Sequence, residues 1–154
     1  MSVRESIVAT LLSVTDIGAV NTYPRYAKQL SEMMLLYCSP AHKNQLRGWH
    51  VKRLSMRESG AIYESTVQAE RWLIEGFMAL SDEAESGIVF DQLIDAIRDK
   101  FRGETFDNTV QLTDPSDETA YIQIEQVDEV MFAGVLCHRA RLILPVIQTV
   151  SPGA

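Results

Sequence analysis

The chain has 154 residues, 46% of them hydrophobic and 23% charged, and a formal net charge of −7 at pH 7. That is the composition of one globular domain with room for a real core; it excludes a disordered chain, and no run of about 18 apolar residues offers a membrane-spanning helix. An acidic balance of this size argues against non-specific duplex binding, which depends on neutralising phosphates.

The first predicted element is a helix over Val3 to Val14. Ser2 and Glu5 form an S-x-x-E capping box, and Val3, Ile7, Val8, Leu11 and Leu12 recur at helical spacing on one face. Gly18 suits the chain reversal that follows. Val20 to Tyr23 reads as a short strand stopped by Pro24. Ala27 to Tyr37 reads as a short helix with Leu30, Met33, Met34 and Tyr37 on its apolar face, ended by Ser39-Pro40. Arg47 to Glu58, rich in Trp, Val and long basic side chains, predicts a strand. Ser59-Gly60 supplies a turn, and Ile62 to Leu80 predicts a second long strand. The first half of that strand is polar, and the second, from Trp72, is apolar on both faces. The turn end therefore reads as an arm leaving the body, and the Trp72 to Leu80 end as central sheet.

Ser81, Asp82, Glu83 and Glu85 crowd the start of the main helix, where acidic groups favour the helix dipole. Phe90, Leu93, Ile94, Ile97 and Phe101 form its core stripe. Arg98, Lys100 and Arg102 enrich its last turn, and Gly103 closes it. Phe106 to Leu112 and Tyr121 to Glu125 are expected as strands on either side of an Asp114-Pro115-Ser116-Asp117 turn. Met131 to Ile147 is the last strand, broken only by Gly134 and Pro145, and Pro145 implies an edge or an end. This order predicts an α+β fold: a mostly antiparallel sheet with a long β-hairpin, packed against the main helix and the N-terminal helix. Residues 1–150 are expected to form a single domain and residues 151–154 a loose tail.

The charge is unevenly placed, +5 over residues 1–57, −14 over 58–130 and +2 over 131–154. An acidic middle between two basic flanks suggests pairing within one fold or between copies. Glu5 sits where a leader would turn hydrophobic, so no signal sequence is expected. Cys38 and Cys137 lie far apart and make no disulfide framework, which leads to an expectation of reduced thiols and synthesis in the cytoplasm.

The candidate chemistry is sparse. His42, His50 and His138 are isolated, whereas zinc needs three or four converging ligands, so no metal is expected and His50 and His138 read as half-buried sheet residues. Asp114 to Glu125 has the ends of a calcium loop. It carries Thr119 where that loop needs Gly, and Pro115 inside, so it reads as an acidic turn. Asp91, Asp95 and Asp99 lie off the core stripe with Arg98 and Arg102 in reach, and read as a solvated, partly paired face. Lys43, Arg47, Lys52, Arg53 and Arg57, with Trp49 and His50 among them, form a basic segment. It can bind nucleic acid, be plain surface, or dock on an acidic partner, including the acidic region of another copy. Nucleophile elbows, Walker loops and dinucleotide-binding glycine patterns are absent, so neither an enzyme nor a cofactor is expected.

Four blocks carry a family resemblance: Gly48-Trp49-His50-Val51-Lys52-Arg53; Trp72-Leu73-Ile74-Glu75-Gly76-Phe77-Met78-Ala79-Leu80; Phe90-Asp91-Gln92-Leu93-Ile94-Asp95-Ala96-Ile97-Arg98; and Val130-Met131-Phe132-Ala133-Gly134-Val135-Leu136-Cys137-His138. They resemble small virion proteins of long-tailed, siphovirus-like bacteriophages of the transposable type, the tail terminator or tail-completion proteins. The resemblance covers most of the chain and is weakest at Ala27 to Tyr37. It implies a structural protein forming a ring, typically a hexamer, seated on the last ring of the tail tube at the head–tail junction. That ring ends tube polymerisation and presents a surface to head-completion or connector proteins, and DNA passes through its lumen. Assembly would take place in the host cytoplasm. On this reading Arg47, Trp49, Lys52, Arg53, Arg57 and Glu58 are intersubunit or partner contacts. Asp82, Glu83, Glu85, Asp114, Asp117 and Glu118 face the lumen or a partner, where negative charge keeps passing DNA from sticking. The alternatives are a head–tail adaptor of another neck layer, a nucleic-acid-binding protein using Lys43 to Arg57, and an enzyme with a polar pocket around a perturbed titratable group.

Overall fold

The computed structural model describes residues 2–60, 65–102, 104, 106, 110–112 and 121–151. In chain order the elements are α1 (Val3–Leu12), β1 (Ala19–Asn21), α2 (Leu30–Tyr37), β2 (Cys38–Ser39), a 3-10 turn (Pro40–His42), β3 (Gln45–Gly60), β4 (Thr66–Ala79), α3 (Ser86–Arg102), β5 (Val110–Gln111), β6 (Gln123–Phe132) and β7 (Val135–Val150). The strands form one seven-stranded sheet. β3, β4, β7 and β6 lie side by side, each antiparallel to its neighbour. β1 adds to the outer edge of β3 in parallel, over Gly48 to His50, and β2 adds antiparallel at Gln45 and Leu46. β5 pairs with β7 at Ile147 and Gln148, past the end of β6. The fold is α+β with a mostly antiparallel sheet and a long hairpin, as the order of elements predicts.

Strand alternation sorts the side chains onto two faces. On one face Trp49, Val51, Trp72, Ile74, Met78, Ala140, Leu142, Leu144 and Val146 pack against α1 and α3. α1 contributes Val3, Ile7 and Leu11, and α3 contributes the predicted stripe of Phe90, Leu93, Ile94, Ile97 and Phe101, all buried. Ser2 Oγ accepts the Glu5 N–H at 3.1 Å, the serine half of the capping box. On the opposite face α2 covers one end only. Its Tyr37 is buried with Leu46, Phe77 and Cys137, and its ring meets Phe77 and Phe132 edge-on. Burial pushes the Cys137 thiol up to about 11.

Several boundaries differ from the sequence expectation. Ser59 and Gly60 are not the hairpin turn; they pair with Val67 and Thr66, and β4 begins at Thr66 rather than Ile62. A Cβ at Gly60 would meet nothing within 4 Å, so glycine is tolerated at this strand position and not required by it. Met131 to Ile147 is not one strand. Phe132 pairs with Val135 across Ala133-Gly134, with φ of 52° and 79°, the two left-handed residues of a tight hairpin turn. Pro145 does not end β7, but no described strand pairs with β7 on its outer side there, so the proline sits at a local edge. It pairs with Arg71 in the middle of the arm. The Leu80 N–H donates to the Leu136 carbonyl at 3.0 Å, so even-numbered β7 residues turn their backbone groups toward β4 and odd-numbered ones away. Pro145 therefore directs its donorless nitrogen into the gap between the last β6 pairing, at Ile143, and the β5 pairing at Ile147.

Leu12 and Leu30, expected on buried faces, are exposed, because α1 ends at Leu12 and α2 docks through Tyr37. Asp82, Glu83 and Glu85 lie in a turn before α3 and not in its first helical turn; the Glu85 N–H bonds the Asp82 carbonyl at 3.0 Å. Of the expected strand over Phe106 to Leu112, Val110–Gln111 is strand and residues 107–109 lie outside the described residues; the one over Tyr121 to Glu125 becomes the ten-residue β6. The Asp114 to Asp117 turn, the acidic loop through Thr119, the closing Gly103 and residues 152–154 lie outside the described residues.

Candidate functional site

The sheet has two long edges of opposite chemistry. The first is the outer side of β3. β1 and β2 cover it up to His50, and Arg4 closes the next position: its Nη1 donates to the Val51 carbonyl at 3.0 Å while its guanidinium lies 5.1 Å from the centre of the Trp72 ring. From Lys52 to Gly60 no described residue pairs with that edge, and every side chain is exposed. A bulge between Arg53 and Ser55 leaves Leu54 as the extra residue and increases the local twist. This edge carries Lys52, Arg53, Arg57 and Glu58, with the exposed apolar Leu54 and Met56 among them.

The second edge is β6, which pairs with β7 alone among the described strands. It carries Glu125, Asp128 and Glu129, with Ile124, Val127 and Met131 exposed between them, Met131 at 66%. Asp128 accepts two hydrogen bonds from Arg139, at 2.9 and 2.6 Å, and this hydrogen bonding holds the Arg139 guanidinium above its ordinary range. A bulge between Ile124 and Gln126 sets Glu125 out of the ladder, with its carboxylate 3.7 Å from Arg141.

Between the edges, on the face opposite α1 and α3, runs a polar chain. The Arg25 N–H donates to the Tyr37 hydroxyl at 3.0 Å, which leaves the Tyr37 O–H to donate to His50 Nδ1 at 2.9 Å. His50 Nε2 is then the protonated nitrogen, 3.0 Å from Glu75 Oε1, and Glu75 Oε2 accepts from Arg141 at 2.8 Å. Burial works to raise the Glu75 carboxyl, but the hydrogen bond from His50, with the hydrogen bond and charge of Arg141, holds it below its ordinary value of 4.5. A cleft of about 420 Å³ opens at the end of this chain, between Leu54, Arg71, Tyr121 and Arg141.

A second cleft of about 410 Å³ sits at the start of α3. Asp82, Glu85 and Glu129 line it over the buried pair Ser86 and His138. Ser86 Oγ accepts the Ser81 N–H at 2.8 Å and lies 2.8 Å from His138 Nε2, and the His138 ring stacks on Phe90. These groups fasten the turn before α3 to β7. No group of three or more metal-ligating side chains is found among the described residues.

The predicted contact residues divide. Lys52, Arg53, Arg57 and Glu58 stand together on the exposed arm. Arg47 is partly buried beside Asp16, and burial lowers its guanidinium from the ordinary range. Trp49 is not a surface residue at all: it is 0% exposed, stacked on Phe90 at 6.0 Å. His50, like His138, is buried rather than half-buried. Asp82, Glu83 and Glu85 are exposed, and Asp91, Asp95 and Asp99 form the expected solvated face with Asp95 and Asp99 paired to Arg98 and Arg102. Asp114, Asp117 and Glu118 lie outside the described residues. Sequence reasoning missed the β6 edge as a unit, because Ile124, Val127, Val130 and Met131 do not fall at strand spacing and a bulge between Ile124 and Gln126 breaks the register. No protein-family model matches the sequence, and no curated protein matches it.

Proposed function

We propose that this chain is a structural virion protein, a tail terminator. On this reading its copies close into a ring at the top of a bacteriophage tail tube, end tube polymerisation and join the tube to head-completion proteins, with DNA passing through the lumen. The four sequence blocks supply the family. The observation that carries the reading is the arm from Lys52 to Gly60, a long strand edge that no described residue covers, at a place where a monomer would be expected to cover it. A ring subunit needs two unlike surfaces that fit each other head to tail, and it needs no catalytic constellation. The exposed acidic groups at Asp82, Glu83 and Glu85 suit a surface that duplex DNA must pass without sticking.

The nucleic-acid reading rests on the same arm but loses its aromatic platform, because Trp49 is in the core. Native mass spectrometry and electron microscopy of the concentrated protein test the proposal, together with imaging of the virion neck. A closed ring at the head–tail junction is the expected result. A strict monomer that is also missing from the neck would overturn it.

A further inference from the structure

We infer that the basic edge of β3 is the docking strand for the acidic edge of β6 on a second copy, so that the sheet continues from subunit to subunit. This rests on the ring reading above and names the surface that closes the ring. Strand direction supplies the first support. β3 and β7 run one way and β4 and β6 the other, so a neighbour's β3 laid beside β6 in the same subunit orientation continues the antiparallel alternation. Because the two edges differ, each copy offers one and receives the other. Closure leaves neither of these two edges unpaired.

Backbone phase supplies the second. The alternation set by Leu80 and Leu136 turns the outward N–H and C=O groups of β3 to Met56 and Glu58 past the bulge, and those of β6 to Val127, Glu129 and Met131. Each set recurs every second residue, as a ladder requires. Arg4 caps the Val51 carbonyl, so cover by the described residues stops where the arm begins.

Side chains supply the third. Lys52, Arg53 and Arg57 on one edge oppose Glu125, Asp128 and Glu129 on the other, and Leu54 and Met56 find Ile124, Val127 and Met131. On each sheet face the rows then match. Lys52 and Arg57 share the open face with Asp128, and Arg53 and Met56 share the helix-covered face with Val127 and Glu129. Directly opposed unlike charges and apolar pairs stabilise a ladder, and like charges there destabilise it.

A charge exchange in the full chain tests the pairing. Lys52→Glu with Arg57→Glu is one variant, and Glu125→Lys with Asp128→Lys is the other. Each is expected to raise the concentration needed for assembly by about tenfold or more, and an equimolar mixture of the two, or all four changes in one chain, regains it. Thermal unfolding of each variant checks that the subunit still folds. A second readout is independent of charge: Met56→Cys with Val127→Cys, in a Cys38→Ser background, forms intersubunit disulfides on oxidation of the assembled protein.

Rings that form equally well in both single-edge variants, without disulfides in the cysteine variant, overturn the edge pairing and leave the ring reading standing. A wild-type protein that stays monomeric at high concentration and yields no disulfide-linked dimer overturns both. Duplex DNA binding that Lys52→Glu with Arg57→Glu abolishes and the four-residue exchange does not restore would give the edge to nucleic acid instead.

Discussion

β3 and β4 make one hairpin with two unlike ends. From Leu46 to Val51 and from Trp72 to Met78 the pair is largely buried on both faces, under α1 and α3 on one side and α2 and the polar chain on the other. From Lys52 to Gly60 the same ladder continues with every β3 side chain exposed. The hydrogen bonds do not change between the ends; the partners do. One end holds the subunit together, and the other is built strand with none of the described residues covering its outer edge. If so, substitutions at the first end act on folding and substitutions at the second act on association.

The largest effect is expected at the crossing of Trp49 and Gly76. These residues pair directly, and the indole lies flat over the glycine: a Cβ at Gly76 would stand 2.2 Å from the ring. Gly76→Ala must displace Trp49 from its stack on Phe90, at a cost of about 1–3 kcal/mol or more. Trp49→Ala leaves a cavity and costs about 3–5 kcal/mol, a large part of a small domain's stability. Denaturant unfolding measures both. A change below about 0.5 kcal/mol for either would break the comparison, because it would mean that this end is not the folding core.

The next effect belongs to Glu75. Its folded carboxyl titrates below its ordinary 4.5 because the pull of His50 and Arg141 exceeds the effect of burial. A lowered folded value means stability that is complete above the ordinary carboxylate range and lost as pH falls through the folded value. Glu75→Gln should therefore destabilise the protein by about 1–3 kcal/mol near pH 7, and the gap to wild type should narrow as pH drops below about 4. Urea midpoints across that range decide it. A constant gap would show that Glu75 acts through packing and not through charge.

The core was legible where periodicity is regular and local. α3 announced itself by Phe90, Leu93, Ile94, Ile97 and Phe101, and the two-sided burial of β4 followed from its apolar second half. The polar chain was not legible, because residues 37, 50, 75 and 141 meet only through sheet register and through α2 docking on the open face. The β6–β7 hairpin was hidden because Ala133 occupies a left-handed position usually given to Asn or Gly, while Phe132 and Val135 on either side read as continuous strand. Trp49 was assigned to the surface with its basic neighbours. Strand alternation places it with Val51 instead, and glycine at position 76 is the feature that marks where its ring lies.

The smallest effect on stability should come from the arm, and it sharpens the comparison most. Lys52 and Arg57 are exposed and make no ion pair with any described residue. Arg53 differs. It reaches Glu70 at 3.4 Å, and Glu70 is buried with Trp72 Nε1 and Gln148 Nε2 as its other donors, so Arg53 belongs partly to the fold. Lys52→Ala with Arg57→Ala should move the unfolding free energy by no more than about 0.5 kcal/mol, because exposed cations without partners contribute little to a folded subunit. The same pair should weaken assembly measurably, and increasingly so at low salt, where exposed charges are least screened. Light scattering across a salt series, set beside denaturant unfolding of the same samples, reads the two effects separately. A large loss of stability with assembly unchanged would place these cations in the fold. Unchanged stability with weakened, salt-sensitive assembly would mean that the arm acts only when a second surface meets it.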